Sequence, residues 1–313
     1  MRAVLSRQYG GPDVLEPADV PTPSIADNDV LVKVVAAGTN PVDRECREGQ
    51  AAPWFDDGPW IWGWDVAGVV EAVGAGVTRF APGDDVFGMP RFPSLAGGYA
   101  EYVSAPAQDL AAKPAGSTYA QAAALPLCSL TALQVLDLTE TVSGQHVLIN
   151  GAAGGVGHIA VQLAKARGAH VTAIARKTNH DFLCALGADE VVDYTTTSVP
   201  DTVSDIDVVV DLVGIDALVR TVRPGGIIAP VPGAARGAGP LEEAAQERGV
   251  RVLRHVVHPD GDSLTYIARL VDQGLLNAEI TDRLPLEQAA EAHRRMQAGH
   301  GRGKIVLTVQ PPR

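Results

Sequence analysis

The sequence predicts an α/β protein in which a doubly wound parallel sheet occupies the second half of the chain and short strands dominate the first third. Three observations carry this. From about 146 to 257, strand-like and helix-like segments alternate with short connections. A glycine-punctuated turn, Gly151-Ala152-Ala153-Gly154-Gly155-Val156-Gly157, joins a β-branched apolar run to an apolar-periodic helix. The opening third holds many short apolar runs broken by glycine and proline.

In chain order, 2–9 and 29–37 read as strands, and 66–73, 85–89 and 99–104 continue the pattern. Gly74, Gly76, Pro82-Gly83-Asp84 and Gly97-Gly98 separate them, while Pro12, Pro17, Pro21, Pro23 and Pro41 mark turns and keep long helices out. Such spacing describes an antiparallel or barrel-like domain. Tyr119 to Leu138 is rich in Ala and Leu and reads as a helix, with Ser117 or Thr118 as N-cap. Strands are expected at 146–150, 170–174, 190–193, 207–213, 226–231 and 250–257, with helices near 156–167, 179–186, 216–222 and 240–247. Helices near 262–273 and 286–299 and a strand at 304–309 close the chain.

The glycine turn points to a dinucleotide. Gly151, Gly154 and Gly157 stand three apart, between a strand and a helix that leads to a second strand at His170-Val171-Thr172-Ala173-Ile174. Glycines there allow a tight turn, let the backbone approach a pyrophosphate and leave helix N-terminal N–H groups to bind it. An NAD site would end the second strand on Asp or Glu. This one runs into Arg176-Lys177, and the first acid is Asp181. Two cations without a carboxylate suit a 2′-phosphate, so NADPH is the expected cofactor. An exposed basic turn is the plainer alternative.

Bulk properties exclude several classes. At 313 residues two domains are expected, and 46% hydrophobic with 20% charged residues is globular. A net charge of −12 without a basic stripe argues against nucleic acid or anionic membrane as partner. No apolar run reaches membrane-span length, and Met1-Arg2-Ala3-Val4 starts a strand-like run rather than a secretory segment, so the cytoplasm is expected. The three cysteines, Cys46, Cys128 and Cys184, build neither a disulfide framework nor a four-thiolate zinc site.

Several stretches together resemble the zinc-independent medium-chain dehydrogenase/reductases, and within them the NADPH:quinone oxidoreductase group. They include Tyr9-Gly10-Gly11-Pro12, Asn40-Pro41-Val42-Asp43 running on to Arg47, Leu125-Pro126-Leu127 with Leu130-Thr131-Ala132, Leu186-Gly187-Ala188-Asp189, and Gly303-Lys304-Ile305-Val306-Leu307. The resemblance implies a Rossmann domain at 118–257, inserted in a GroES-like catalytic domain of 1–117 plus 258–313, with the active cleft between them. It also implies a homodimer through the 250–257 edge. Zinc relatives place a Cys where Asn40 stands and a His where Trp64 stands, so no metal is expected.

By the same resemblance Asn40 and Thr131 flank the nicotinamide, Val213, Gly214 and the segment Val231-Pro232-Gly233 line the strand-end crevice, and Lys304 sits nearby. Asp43 and Arg47 read either as part of the site or as a buried ion pair. All four tryptophans fall in one stretch, Trp54, Trp60, Trp62 and Trp64. The last three alternate, so in a strand they share a face, either as core or as an apolar wall for an aromatic acceptor. No tyrosine follows the Asn40 segment as proton donor, which leaves Asp65 as the nearest acid. His258, His293 and His300 are read as surface residues. The resemblance implies a quinone or activated enone, aromatic or polycyclic, as the small-molecule substrate. The lack of a tyrosine favours quinone over an unactivated enoyl-thioester, because reduced quinone oxygens take protons from water. A pathway-specific enoyl reductase of secondary metabolism and an NADPH-binding sensor with little turnover are the competing readings.

Overall fold

The computed structural model describes residues 1–50, 55, 57–231, 239–299 and 301–310. The chain divides into two compact units, Met1–Leu130 with His258–Arg313, and Thr131–Val257. The segment 118–130 groups with the first.

The chain opens on β1 (Arg2–Ser6), β2 (Glu16–Asp19) and β3 (Asp29–Gly38), then forms a short helix, α1 (Pro41–Arg47). Pro41 occupies its first turn, where a missing N–H costs nothing, and Asp43 Oδ2 accepts the N–H of the N-cap, Asn40, at 2.7 Å. β4 (Trp60–Ile61), β5 (Asp65–Val73), β6 (Asp85–Gly88), β7 (Tyr102–Pro106) and β8 (Leu110–Ala112) follow. The single helix expected over 119–138 is two, α2 (Tyr119–Ala123) and α3 (Pro126–Leu138), because Pro126 lacks a donor and restricts Leu125. The N-cap is Thr118, whose hydroxyl accepts from Gln121 N at 3.2 Å while its own N–H reaches Gln121 Oε1 at 2.9 Å.

Next come β9 (His146–Asn150), α4 (Gly155–Ala166), β10 (His170–Ile174), α5 (His180–Ala185), β11 (Glu190–Val192), α6 (Val199–Thr202), β12 (Ile206–Asp211), β13 (Val222–Pro230), α7 (Pro240–Glu247) and β14 (Arg251–Val252). The chain returns to the first unit with α8 (Gly261–Asp272), β15 (Ile280–Pro285), α9 (Ala289–Ala298) and β16 (Lys304–Thr308).

In the first unit a seven-stranded sheet runs β15-β16-β3-β5-β6-β8, with β7 also on β3, and a smaller sheet runs β2-β1-β4. All pairs are antiparallel except β15 with β16. In the second unit six parallel strands run β11-β10-β9-β12-β13-β14. Val147, Leu148 and Ile149 are consecutive and fully buried, as a strand covered on both faces requires. The order reverses between β9 and β12, so the carboxyl ends of these two strands open a crevice.

Two expectations change. Residues Asp216–Thr221 form a 3₁₀ segment, and the edge strand expected over 250–257 is only β14. Among the described residues no helix is long and apolar enough to cross a membrane.

Candidate active site

The crevice between β9 and β12 is built by the glycine turn. Gly151 has φ +77°, open to glycine at little cost, and its carbonyl accepts the Gly154 N–H at 3.0 Å. A Cβ on Gly157 would lie 2.3 Å from Gly151 O and 2.6 Å from the Ala152 Cα, both backbone, so only glycine fits. Ala152 is buried, with its N–H on Ile174 O at 3.2 Å. Helix α4 starts from Gly154 with no side-chain cap. The first-turn N–H groups of Gly155, Val156 and Gly157 are thereby left for an anion.

Two polar residues that sequence reasoning missed hold the opposite lip. Asn150 Nδ2, at the end of β9, donates to Asp211 Oδ1 at 2.8 Å, at the end of β12. Asp211 then accepts the backbone N–H groups of Val213 and Gly214 (3.0 Å each) and Ile215 (2.6 Å). One carboxylate thus folds the loop that presents Val213 and Ile215, exposed by 54% and 44%. An Asp interrupting an apolar run three residues before a glycine was the available signal. Val231 donates its N–H to Asp211 O at 2.9 Å, while Pro232 and Gly233 lie outside the described residues.

Beyond β10, Lys177 is exposed and Arg176 half-buried, with Arg176 Nε donating to the Tyr194 hydroxyl at 2.9 Å. A carboxylate does stand near, one strand further than an NAD site would place it. Asp193 accepts from Thr195 Oγ1 (2.7 Å), Thr195 N (2.9 Å) and Lys177 N (3.3 Å), and the Thr195 bonds hold its pKa below the usual range.

The first unit holds a second cluster around Asn40. Asn40 Nδ2 donates to Asp65 Oδ2 at 2.9 Å, and its Oδ1 accepts from Lys304 Nζ at 2.5 Å and faces the Cys128 thiol at 3.8 Å. Lys304 Nζ also reaches Asp65 Oδ2 at 3.1 Å, and Leu127 N donates to Asp65 Oδ1 at 2.7 Å. Asn40 and Asp65 are fully buried and Lys304 is 4% exposed. Burial works against the ammonium, but the Asp65 carboxylate beside it, through charge and hydrogen bond, favours it, and the Lys304 pKa is raised. Burial lifts the Cys128 thiol to about 11 and Cys46 to about 12, so neither is a ready thiolate. Asp65, expected as the nearest acid, accepts from the three donors Asn40 Nδ2, Lys304 Nζ and Leu127 N. Thr131 lies three residues past Cys128 on α3, buried, and belongs to the second unit.

Asp43 and Arg47 are both buried but do not pair. The Arg47 Nη2 donates to Glu48 at 2.8 Å, and its Nε and Nη1 have no hydrogen-bond partner among the described residues. Asp43 Oδ2 instead accepts the Tyr99 hydroxyl at 2.7 Å, and that hydroxyl lies 3.2 Å from His293 Nε2. Burial first, then Asp65, raises Asp43 to about 7. Burial and Arg47 push His293 down to about 3, and burial with Asp43 drives Tyr99 well up. His293 is therefore a neutral core histidine, not a surface one. Tyr99 went unseen because it stands far along the chain. Its ring fits only because Gly63 (φ +89°) lacks a Cβ, which would meet Tyr99 Cδ1 at 2.3 Å. His258 is exposed, and His300 lies outside the described residues.

Among the described residues, Trp60, Trp62 and Trp64 present no open wall to an acceptor. Trp60, Trp62 and Trp64 are 6%, 0% and 1% exposed, and only Trp60 lies in a strand. Gly63 breaks the alternation. Trp62 Nε1 donates to Ser6 Oγ and Trp64 Nε1 to Ser94 O, each at 2.8 Å, while Trp60 stacks on Tyr9 at 4.4 Å. These rings are core. Trp54 lies outside the described residues.

Comparison with known proteins agrees with this geometry. Residues 26–115 match the alcohol dehydrogenase GroES-like domain family and residues 186–307 the family described as zinc-binding dehydrogenase. The chain is 34% identical, over 98% of its length and 79% of the relative's, to the chloroplastic NADPH-dependent alkenal/one oxidoreductase of Arabidopsis thaliana. It superposes on the quinone oxidoreductase from Coxiella burnetii with a TM-score of 0.94, at 37% identity over 99% of both chains. With the Escherichia coli quinone oxidoreductase complexed with NADPH the TM-score is 0.89, at 26% identity over 99% of this chain and 100% of that one. The chain belongs to the zinc-independent medium-chain dehydrogenase/reductase superfamily, in its NADPH:quinone oxidoreductase-like group. Its fold is the GroES-like and Rossmann pair of that superfamily.

Proposed function

We propose that this protein reduces quinones or activated enones by two-electron transfer from NADPH. The observation that carries the reading is the glycine turn, where Gly157 admits no side chain and the first turn of α4 offers uncapped N–H groups. This is a cradle for a pyrophosphate. Arg176 and Lys177 supply cations where a 2′-phosphate would stand. The names of the similar proteins, an alkenal/one oxidoreductase and quinone oxidoreductases, support the acceptor class.

Bound there, NADPH supplies the hydride, and the chemistry of transfer is the cofactor's. The protein's residues bind and orient. Asp211 fixes the Val213–Ile215 loop through three N–H groups. Asn40 is held at both ends of its amide by Asp65 and Lys304, so its orientation is set before any ligand arrives. The Asp65 carboxylate holds the ammonium of Lys304 and the amide of Asn40 rather than giving up a proton. A reduced quinone takes its protons from water.

The test uses NADPH deuterated at the transferable position and a simple enone. Deuterium at the β-carbon of the saturated ketone is the expected outcome. Tight NADPH binding without deuterium transfer to any quinone or enone would instead make the chain a nucleotide-binding sensor. The proposed working form is a homodimer built on the free edge of β14, and light scattering of the pure protein checks it. The proposed compartment is the cytoplasm, which cell fractionation checks, the Arabidopsis relative being chloroplastic by name.

A further inference from the structure

The second unit carries another group of ligand-bearing side chains at the opposite end of its sheet. Parallel pairing sets His170, the first residue of β10, beside His146, the first of β9. One strand further, Glu190 opens β11 beside Thr172. His146, His170 and Glu190 each offer one ligand atom, and all three atoms lie within 4.8 Å of one another. Arg176 and the glycine turn follow the other ends of these strands, roughly 13 Å away for a five-residue strand. The cluster is therefore separate from the cofactor crevice.

We propose that His146, His170 and Glu190 form a binding site for a divalent transition ion of the Zn²⁺ class. Two imidazoles and one carboxylate are a donor set such ions take, with water completing the shell. In a filled tetrahedral site the donor atoms stand about 3.4 Å apart. His170 and Glu190 are 45% and 59% exposed, so both can turn the remaining ångström inward.

Neighbouring groups are arranged as supports. The Asp189 carboxylate, pinned by Lys165 Nζ and Val171 N at 2.7 Å each, lies 3.7 Å from His170 Nδ1. That leaves His170 Nε2 facing Glu190 at 3.6 Å. A carboxylate on the far nitrogen orients a ligating histidine and raises its basicity. Thr172 Oγ1 lies 2.7 Å from His146 Nε2 and 3.4 Å from Glu190 Oε2, steering both. The two imidazoles meet edge to face with centroids 4.6 Å apart. An ion here would clamp β9, β10 and β11 at one edge of the sheet.

The whole chain, purified without a polyhistidine tag and stripped with chelator, is titrated with ZnCl₂ by calorimetry and with Co²⁺ by visible absorption. One ion per chain is expected, with Tm rising once Zn²⁺ exceeds its Kd. His170→Gln and Glu190→Gln each weaken binding at least about tenfold, and Asp189→Asn weakens it about 10- to 100-fold. Cys184→Ser, which removes the exposed thiol, leaves it unchanged. NADPH binding by His170→Gln at the wild-type level shows that the variant is folded. Absence of saturable binding, binding that survives His170→Gln and Glu190→Gln, or equal affinity for Mg²⁺ would overturn the proposal.

Discussion

Replacing Lys304 by methionine tests how the Asn40 cluster is held. The ammonium bonds Asn40 Oδ1 and Asp65 Oδ2 at 2.5 and 3.1 Å, and neither Lys304 nor Asp65 is more than 4% exposed. Methionine keeps the length of the stem but strands the Asp65 carboxylate in the interior with only Asn40 Nδ2 and Leu127 N. Removing one partner of a buried ion pair costs about 3–5 kcal/mol. Removing both charges in Asp65→Asn/Lys304→Met recovers part of that loss, with a coupling of about 2 kcal/mol. All four tryptophans belong to the first unit, so their fluorescence in urea reports its unfolding. A loss below about 1 kcal/mol in Lys304→Met, or a double variant no better than the sum of the singles, would refute the ion-pair account.

Three further outcomes follow from the geometry. Gly157→Ala drives a methyl into Gly151 O and Ala152, so NADPH binding measured by fluorescence falls at least about tenfold. Arg176→Ala/Lys177→Ala weakens NADPH by about 10- to 100-fold, the worth of charged hydrogen bonds, and leaves NADH unchanged. Asp43 has a folded pKa of about 7 against an ordinary 3.8, so the folded state holds the extra proton between those values and Asp43 costs stability as pH rises through that window. His293, lowered to about 3, acts the opposite way, adding stability as pH rises from about 3 to its ordinary 6.5. Urea melts from pH 4 to 8 should therefore show Asp43→Asn gaining on the wild type as pH rises, and parallel profiles would contradict the assignment.

The parallel sheet was legible because its strands are continuous apolar runs covered on both faces, with glycines at the turn. His146–Asn150 and His170–Ile174 match the structure residue for residue. Local chemistry misled where a proline could be read two ways. Pro41 starts a helix, and Pro126 splits one. The run Trp60 to Trp64 follows a strand period, but Gly63 at positive φ turns the chain, and the indole N–H groups find partners in the core. Asn40, Lys304 and the glycine turn were singled out from motifs. Tyr99 and Asp211 were not, because they act through partners brought close only by the fold: Tyr99 meets Asp43 across 56 positions, and Asp211 meets Asn150 across 61. The separation between His146 and His170 hid the second ligand cluster in the same way.

The most direct test of the central claim is the consumption of NADPH, against NADH as control, with a panel of small quinones, polycyclic quinones, enones and enoyl-thioesters. The account predicts turnover of quinones or enones with NADPH and little with NADH. Equal rates with both cofactors, or no turnover of any acceptor by protein that binds NADPH tightly, would contradict it.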